Sequence, residues 1–183
     1  MDYVTSDLHF GHKNIMSYCP KTRGQYKDVD HMNSDMIKMW NKLVLPEDHT
    51  YILGDVSFAS VQQTTSILHS LNGTKTLVIG NHDRKFLKHQ EFLDCFVLVK
   101  DYLMISHNKI GVALFHYPIA EWDCAHKGAV HLHGHCHGSI SGLEQYRCKD
   151  VGFDATGKIV VPLENIVSEA MKGQLKTHHG KVD

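Results

Sequence analysis

The sequence predicts an α/β fold of two packed β-sheets with helices outside them. Two features point there. The first half of the chain alternates short β-rich segments with helical stretches, whereas the second half is mostly strand. Strand after strand also ends in a residue able to bind a metal, and in α/β sheets that is where sites collect. At 183 residues and 42% hydrophobic content, the chain has material for one domain, 1–183, with a full core.

Tyr3 to Ser6 reads as a strand entering the polar loop Asp7-Leu8-His9-Phe10-Gly11-His12. From Asp28 to Leu45, apolar residues at Val29, Met32, Met36, Ile37, Trp40, Leu43 and Val44 make a helical stripe. Asp28 and Asp30 are its candidate caps and Pro46 its stop. Thr50 to Leu53 is a strand ending in Gly54-Asp55. Ser60 to Leu71 is a helix with Val61, Thr64, Leu68 and Leu71 on one face, closed by Asn72-Gly73. Thr76 to Ile79 is a buried strand running into Gly80-Asn81-His82-Asp83, and a short helix from Arg84 to Leu93 follows.

Phe96 to Val99, Tyr102 to Ser106 and Ile110 to Phe115 read as three successive strands, the last ending in His116-Tyr117-Pro118. Val130 to His133, Tyr146 to Val151 and Lys158 to Val161 are further strands, and Leu163 to Met171 is a last helix. Gly173 to Asp183 reads as a frayed tail in which His178 and His179 are solvated. No repeat, linker or domain boundary interrupts the chain.

Composition narrows the function. The net charge is −1 and no long basic stripe exists, so strong sequence-independent binding to nucleic acid is not expected. Arg84, Lys85 and Lys88 make only a small patch of the kind found on solvated helix faces. No apolar run approaches the length of a membrane span, and Met1-Asp2 leads into a strand without a secretory signal. Five scattered cysteines without a CxxC pair fit a reducing, cytoplasmic setting. The sequence carries no signal for oligomeric state.

The stretch Ala129 to Gly138 holds histidines at 131, 133, 135 and 137, and imidazole is the commonest metal ligand near neutral pH. On a strand His131 and His133 share a face; Gly134 then allows a tight turn onto His135 and His137. Cys136 between them reads as a small side chain pointing the other way. Other strands end in Asp7 and His9, in Asp55, in Asn81 and in His116. Singly, each has a plain reading: a turn, a helix cap or a core histidine. Together, seven ligands are too many for one ion and about right for two ions sharing a carboxylate. The mix of carboxylate, amide and imidazole suits Mn²⁺, Fe or Zn²⁺ better than a thiolate site would.

Asp7-Leu8-His9, Gly54-Asp55, Gly80-Asn81-His82-Asp83, His116 and Gly134-His135-Cys136-His137, in this order, resemble the motifs of the calcineurin-like metallophosphoesterase superfamily. The resemblance spans residues 3–165 and includes Gly152-Phe153-Asp154 before a closing Val-Pro-Leu. It implies a four-layer, two-sheet sandwich flanked by helices, with a dinuclear centre at one edge. The chain is close to the bare core, most like small bacterial and phage-type members, without the additions of the DNA-repair nucleases.

By that likeness Asp7, His9, Asp55 and His137 hold one ion, and Asp55, Asn81, His116 and His135 hold the other. His82 matches the non-ligand catalytic histidine, which either stabilises phosphoryl oxygens or protonates the leaving oxygen. Asp83 either orients His82 or is the first-turn carboxylate of the next helix. Arg84 either reaches substrate or faces solvent. His12 and His131 are outer-shell or packing residues, and His133 has no matching ligand position.

Protein phosphatases of the superfamily carry an Arg shortly after Gly-Asp; Val56 to Ser60 has none, which argues against that activity. The expected chemistry is hydrolysis of a small phosphate ester or nucleotide by a hydroxide bridging two divalent ions, Mn first, with Fe, Zn or Ni as alternatives. Diesters are expected ahead of monoesters, since a monoester carries nearly two charges and the chain has only three arginines. The alternatives are a phosphomonoesterase or nucleotide phosphatase, or a metal-binding interaction scaffold of the same fold.

Overall fold

The computed structural model describes residues 1–139 and 141–176; His178 and His179 lie outside the described residues. Strands β1 (Asp2–Thr5), β2 (His49–Ile52), β3 (Thr74–Val78) and β4 (Leu98–Lys100) run parallel, in the spatial order β4-β3-β2-β1. Antiparallel β9 (Val161–Pro162) completes this sheet beside β1. The second sheet is β5 (Tyr102–His107), β6 (Ile110–Phe115), β7 (Val130–His133) and β8 (Cys148–Asp150), in that order. β5 and β6 form an antiparallel hairpin, while β6, β7 and β8 are parallel.

Seven helices complete the described chain: α1 (Ile15–Tyr18), α2 (Pro20–Arg23), α3 (Val29–Leu43), α4 (Val61–Ser70), α5 (Gln90–Leu93), α6 (Phe153–Thr156) and α7 (Leu163–Ala170). The long ones start where their caps dictate. The Asp28 carboxylate accepts the His31 N–H, and Ser60 with Gln63 forms a reciprocal capping box. Met32, Met36 and Trp40, four apart on α3, bury one stripe with Leu68 of α4 against Tyr3, Ile52 and Leu77 of the first sheet.

Neighbouring residues on those strands face the other way. Val4, Leu53 and Val78 meet Val112, Leu114, Val130 and Leu132 in the core between the sheets, and α7 adds Leu163, Ile166 and Val167. The far face of the second sheet is covered by the segment 117–129, where Trp122 and Ala125 pack on Ala113 and the only helical element is a single 3₁₀ turn.

Three local expectations change. The 84–93 helix is a 3₁₀ turn at Arg84–Phe86 followed by α5. Phe86 and Phe92 are both buried and stack at 5.0 Å, and one continuous helix would turn residues six apart to different faces. The 158–161 strand shrinks to β9, because left-handed Gly157 turns the chain just before it. Of the tail, Gln174 pairs with Tyr146 and is not frayed. Among the described residues no helix is long and apolar enough to cross a membrane.

The topology has one consequence for chemistry. The loops after parallel β1, β2 and β3 meet those after β6, β7 and β8, and a Ser6–Gly152 bridge ties the two sheets together beside them.

Candidate metal centre

Two ligand groups form where these loops meet. Asp7, His9 and His137 offer ligand atoms that all lie within 4.8 Å of one another, and so do Asp55, His116 and His135. The groups share an edge: Asp55 Oδ2 is 3.8 Å from His9 Nε2 and 3.6 Å from His116 Nε2. His9 Nε2 and His137 Nε2 are each 3.9 Å from Asp7 Oδ1. These separations are too long for hydrogen bonds. Two ligands each about 2.1 Å from one tetrahedral ion would stand roughly 3.4 Å apart, so the spacing is close to that of a shared cation.

The outer nitrogens of three histidines are tied down. His116 Nδ1 lies 2.7 Å from the Leu53 carbonyl and His137 Nδ1 lies 2.8 Å from Asp154 Oδ2, so in each ring Nδ1–H donates. His9 Nδ1 meets His12 Nδ1 at 3.0 Å. Each ring thereby turns Nε2 toward the carboxylates, and a neutral His116 or His137 donating from Nδ1 has its lone pair there; metal-binding histidines are held in this way. Asn81 Oδ1 faces His116 Nε2 at 3.0 Å, a second acceptor aimed at the same place. Asp7 Oδ1 and His9 Nε2 are buried without a hydrogen-bond partner, at the core of the first group. The donor set therefore fits divalent cations.

For three of the histidines electrostatics agree. Burial lowers His9 to about 2 and also lowers His116 and His135, which keeps these imidazoles neutral and able to bind metal. Burial, joined by the nearby Asp150 and Asp55 carboxylates, pushes Asp7 up to about 7 against the pull of His137. His137 moves the other way: burial lowers it, but its hydrogen bond to Asp154 and the charges of Asp7 and Asp154 outweigh that and raise it.

The backbone is strained where the ligands sit. Asp7, His9, Asp55, His135 and His137 all have positive φ, between 49° and 70°. Non-glycine residues held there cost on the order of 1–3 kcal/mol each and persist only where the surroundings over-determine them. Gly134 does not supply the turn; the left-handed conformation falls on His135 and His137 themselves. Gly134 instead supplies room, since a Cβ there would collide with Ser6 Oγ and Asp7 Oδ2, and one on Gly80 would collide with Asp55 Oδ1.

Asp83 is fully buried and accepts backbone N–H groups from Asp55, Val56 and Gly80, each at 2.9 Å. Its carboxylate clamps the Gly54-Asp55 turn to the Gly80-Asn81 turn and does not orient the His82 ring. His82 donates its own N–H to Asp55 Oδ1 at 2.9 Å, and its side chain stands 44% exposed with Nε2 3.9 Å from Asp55 Oδ2. Arg84 is exposed and pairs with Asp101.

His12 stacks on Phe58 at 3.9 Å beside His9. His131 is a buried core residue whose nitrogens face the Ala113 and Tyr117 carbonyls, and His133 Nδ1 faces the Gly134 carbonyl. Cys136 joins neither ligand group. Cys19 lies near His137 and Asp154 as a third group of donor atoms, but there His137 Nδ1 is already bonded to Asp154 and burial pushes the thiol up to about 11.

Motif reading missed Arg23, which is wholly buried and ion-paired with Asp154 at 2.8 Å. Gly152-Phe153-Asp154 was visible as a motif, but its partner carries no local signature.

No family model matches the chain. The uncharacterized protein MJ1445 of Methanocaldococcus jannaschii is 30% identical over 146 residues, 79% of this chain and 72% of its own length. The gene 66 protein of Mycobacterium phage L5 is 30% identical over 193 residues, 86% of this chain and 88% of its own. Among solved structures, AQ665 of Aquifex aeolicus, a protein of unknown function, aligns over 92% of this chain and 98% of its own with a TM-score of 0.73 and 26% identity. That likeness bears out the two-sheet α/β sandwich. The phosphoesterase Yfce of E. coli aligns with a TM-score of only 0.40 and 14% identity, too little to argue from.

Proposed function

We propose, for a chain that belongs to the family of the archaeal MJ1445 protein and the mycobacteriophage gene 66 protein, the metal-dependent hydrolysis of phosphodiesters. One observation carries the reading: three histidines with Nδ1 tied outward turn Nε2 onto two carboxylates, and a single oxygen, Asp55 Oδ2, borders both groups. The motif resemblance to calcineurin-like metallophosphoesterases points the same way. Asp7, His9, Asp55 and His137 would hold one ion; Asp55, Asn81, His116 and His135 would hold the second. Bound there, Mn²⁺ or a similar divalent ion supplies Lewis acidity toward phosphoryl oxygens and makes water a nucleophile near neutral pH.

The chain's own residues do the rest. Asp55 Oδ1 fixes the backbone of His82 and leaves its ring exposed beside the shared carboxylate. From there the imidazole can touch a phosphoryl or leaving-group oxygen, and protonating a departing alkoxide is general-acid work. A mere interaction scaffold has no need of an exposed imidazole held at this place.

The preference for diesters rests on where the arginines are spent. Arg23 is buried on Asp154, Arg84 pairs with Asp101, and Arg147 donates to the Gly128 and Gly173 carbonyls. A monoester's second negative charge calls for bidentate cationic contacts, and the three arginines are engaged elsewhere. The test is kcat/KM for matched aryl mono- and diesters in Mn²⁺. A higher value for the diester is expected; a clear monoester preference would move the reading to a small phosphatase.

A further inference from the structure

We infer that Arg23 and Asp154 are positioning residues of this centre, fixing the His137 ring and the strained Asp7-Leu8-His9 turn so that the first ligand group is formed before a cation arrives. The inference rests on the metal-binding reading above.

The Arg23 guanidinium is fully buried, and its donors are directed at Asp154 on α6 and at the loop after β1. Nε donates to Asp154 Oδ1 at 2.8 Å, and Nη2 to Asp154 Oδ2 at 2.9 Å, a bidentate fork. Nη2 also donates to the Asp7 carbonyl at 2.6 Å and Nη1 to the Leu8 carbonyl at 2.8 Å. Those carbonyls belong to the turn that holds Asp7 and His9 at φ values of 55° and 51°. Asp154, with a side chain 2% exposed, uses the same Oδ2 to accept from His137 Nδ1 at 2.8 Å, and Thr22 Oγ1 donates to its Oδ1.

One buried pair thus braces two ligand loops that lie far apart in sequence. One-turn helices α2 and α6 present Arg23 and Asp154, and the guanidinium lies over the Phe153 ring at 4.9 Å. A pair serving stability alone would have no reason to end on a ligand's outer nitrogen and on the carbonyl of another ligand. Lysine is no substitute, since a point charge lacks the fork that spans carboxylate and carbonyls.

The experiment uses the full chain, with Mn²⁺ alone as the probe. Wild type is compared with Asp154→Asn, Arg23→Lys and the double variant Arg23→Met/Asp154→Leu. Replacing a buried ion pair by apolar residues of similar volume is often neutral or stabilising, so the double variant separates fold from positioning. Three things are read: thermal melting, calorimetric Mn²⁺ affinity, and the His137 tautomer by ¹⁵N NMR of the metal-free protein.

Wild type should show a proton on His137 Nδ1. The double variant should still fold, melting below wild type because the Asp7 and Leu8 carbonyls lose their donor, lose that fixed tautomer, and bind one of its ions about 10–100-fold more weakly, the usual effect of removing a ligand's outer partner. Should the double variant fail to fold, Asp154→Asn and Arg23→Lys carry the same two readouts. A folded variant that keeps both Mn²⁺ affinity and the His137 signature overturns the inference and leaves the metal reading standing. Wild type that binds no Mn²⁺ overturns both.

Discussion

The two ligand groups are built by different means. The Asp7–His9–His137 group is braced by side chains: Arg23 and Asp154 hold it, and both carboxylate and imidazole of its β1 loop are buried. The Asp55–His116–His135 group is braced through the backbone. Asp83 collects three N–H groups from two turns, and the Leu53 carbonyl holds His116. The second group also opens outward, with His135 exposed and the His82 ring beside it. A closed group can only hold an ion, whereas an open one can also admit substrate. On the proposed function, retention of an ion would fall to one side of Asp55 and turnover to the other.

Asp55 belongs to both sides, so its loss should have the largest effect. Asp55→Ala is expected to lose bound metal from both groups and to reduce turnover to background, since a methyl group cannot join two cations. Elemental analysis alongside a diester assay checks it; retention of activity would separate the two groups and break the comparison.

His82 lies on the open side alone. His82→Ala should lower kcat by about 10²–10⁴-fold, the range for a positioned acid–base group. Metal content should stay at the wild-type level. A variant that loses its ions would make His82 a ligand.

The smallest effect concerns the layer beneath the open group, where His131 supports the Tyr117 carbonyl next to His116. Burial depresses His131 to about 4 from an ordinary 6.5. A histidine lowered on folding stabilises the fold above pH 6.5 and loses that contribution as pH falls toward 4. The stability difference between wild type and His131→Gln should therefore narrow over that window, by at most on the order of 3 kcal/mol. Denaturant titrations at several pH values measure it; a gap independent of pH would mean that His131 titrates as in the open chain.

In both groups the ligands were far more readable in the sequence than the braces. Asp7, His9, Asp55, Asn81, His116, His135 and His137 stand at strand ends, and strands that end in ligands are a local pattern. The long helices were equally visible, because Asp28 and Ser60 cap periodic stripes. The braces were not. Arg23 and Asp154 are 131 positions apart, and the Asp83 carboxylate serves backbone groups 27 and 28 residues earlier. Backbone acceptors and distant pairs leave no spacing to read. Helices α1, α2 and α6 are single turns, too short for periodicity to register. The left-handed conformation of His135 and His137 was likewise hidden, because the neighbouring glycine drew the expectation of a turn to itself.

On the proposed function, the two ligand groups sharing Asp55 hold two ions. The most direct test is the metal content of the wild-type chain after saturation with Mn²⁺ and removal of excess. Two ions per chain are expected; a saturated value of one, or none, would contradict the account.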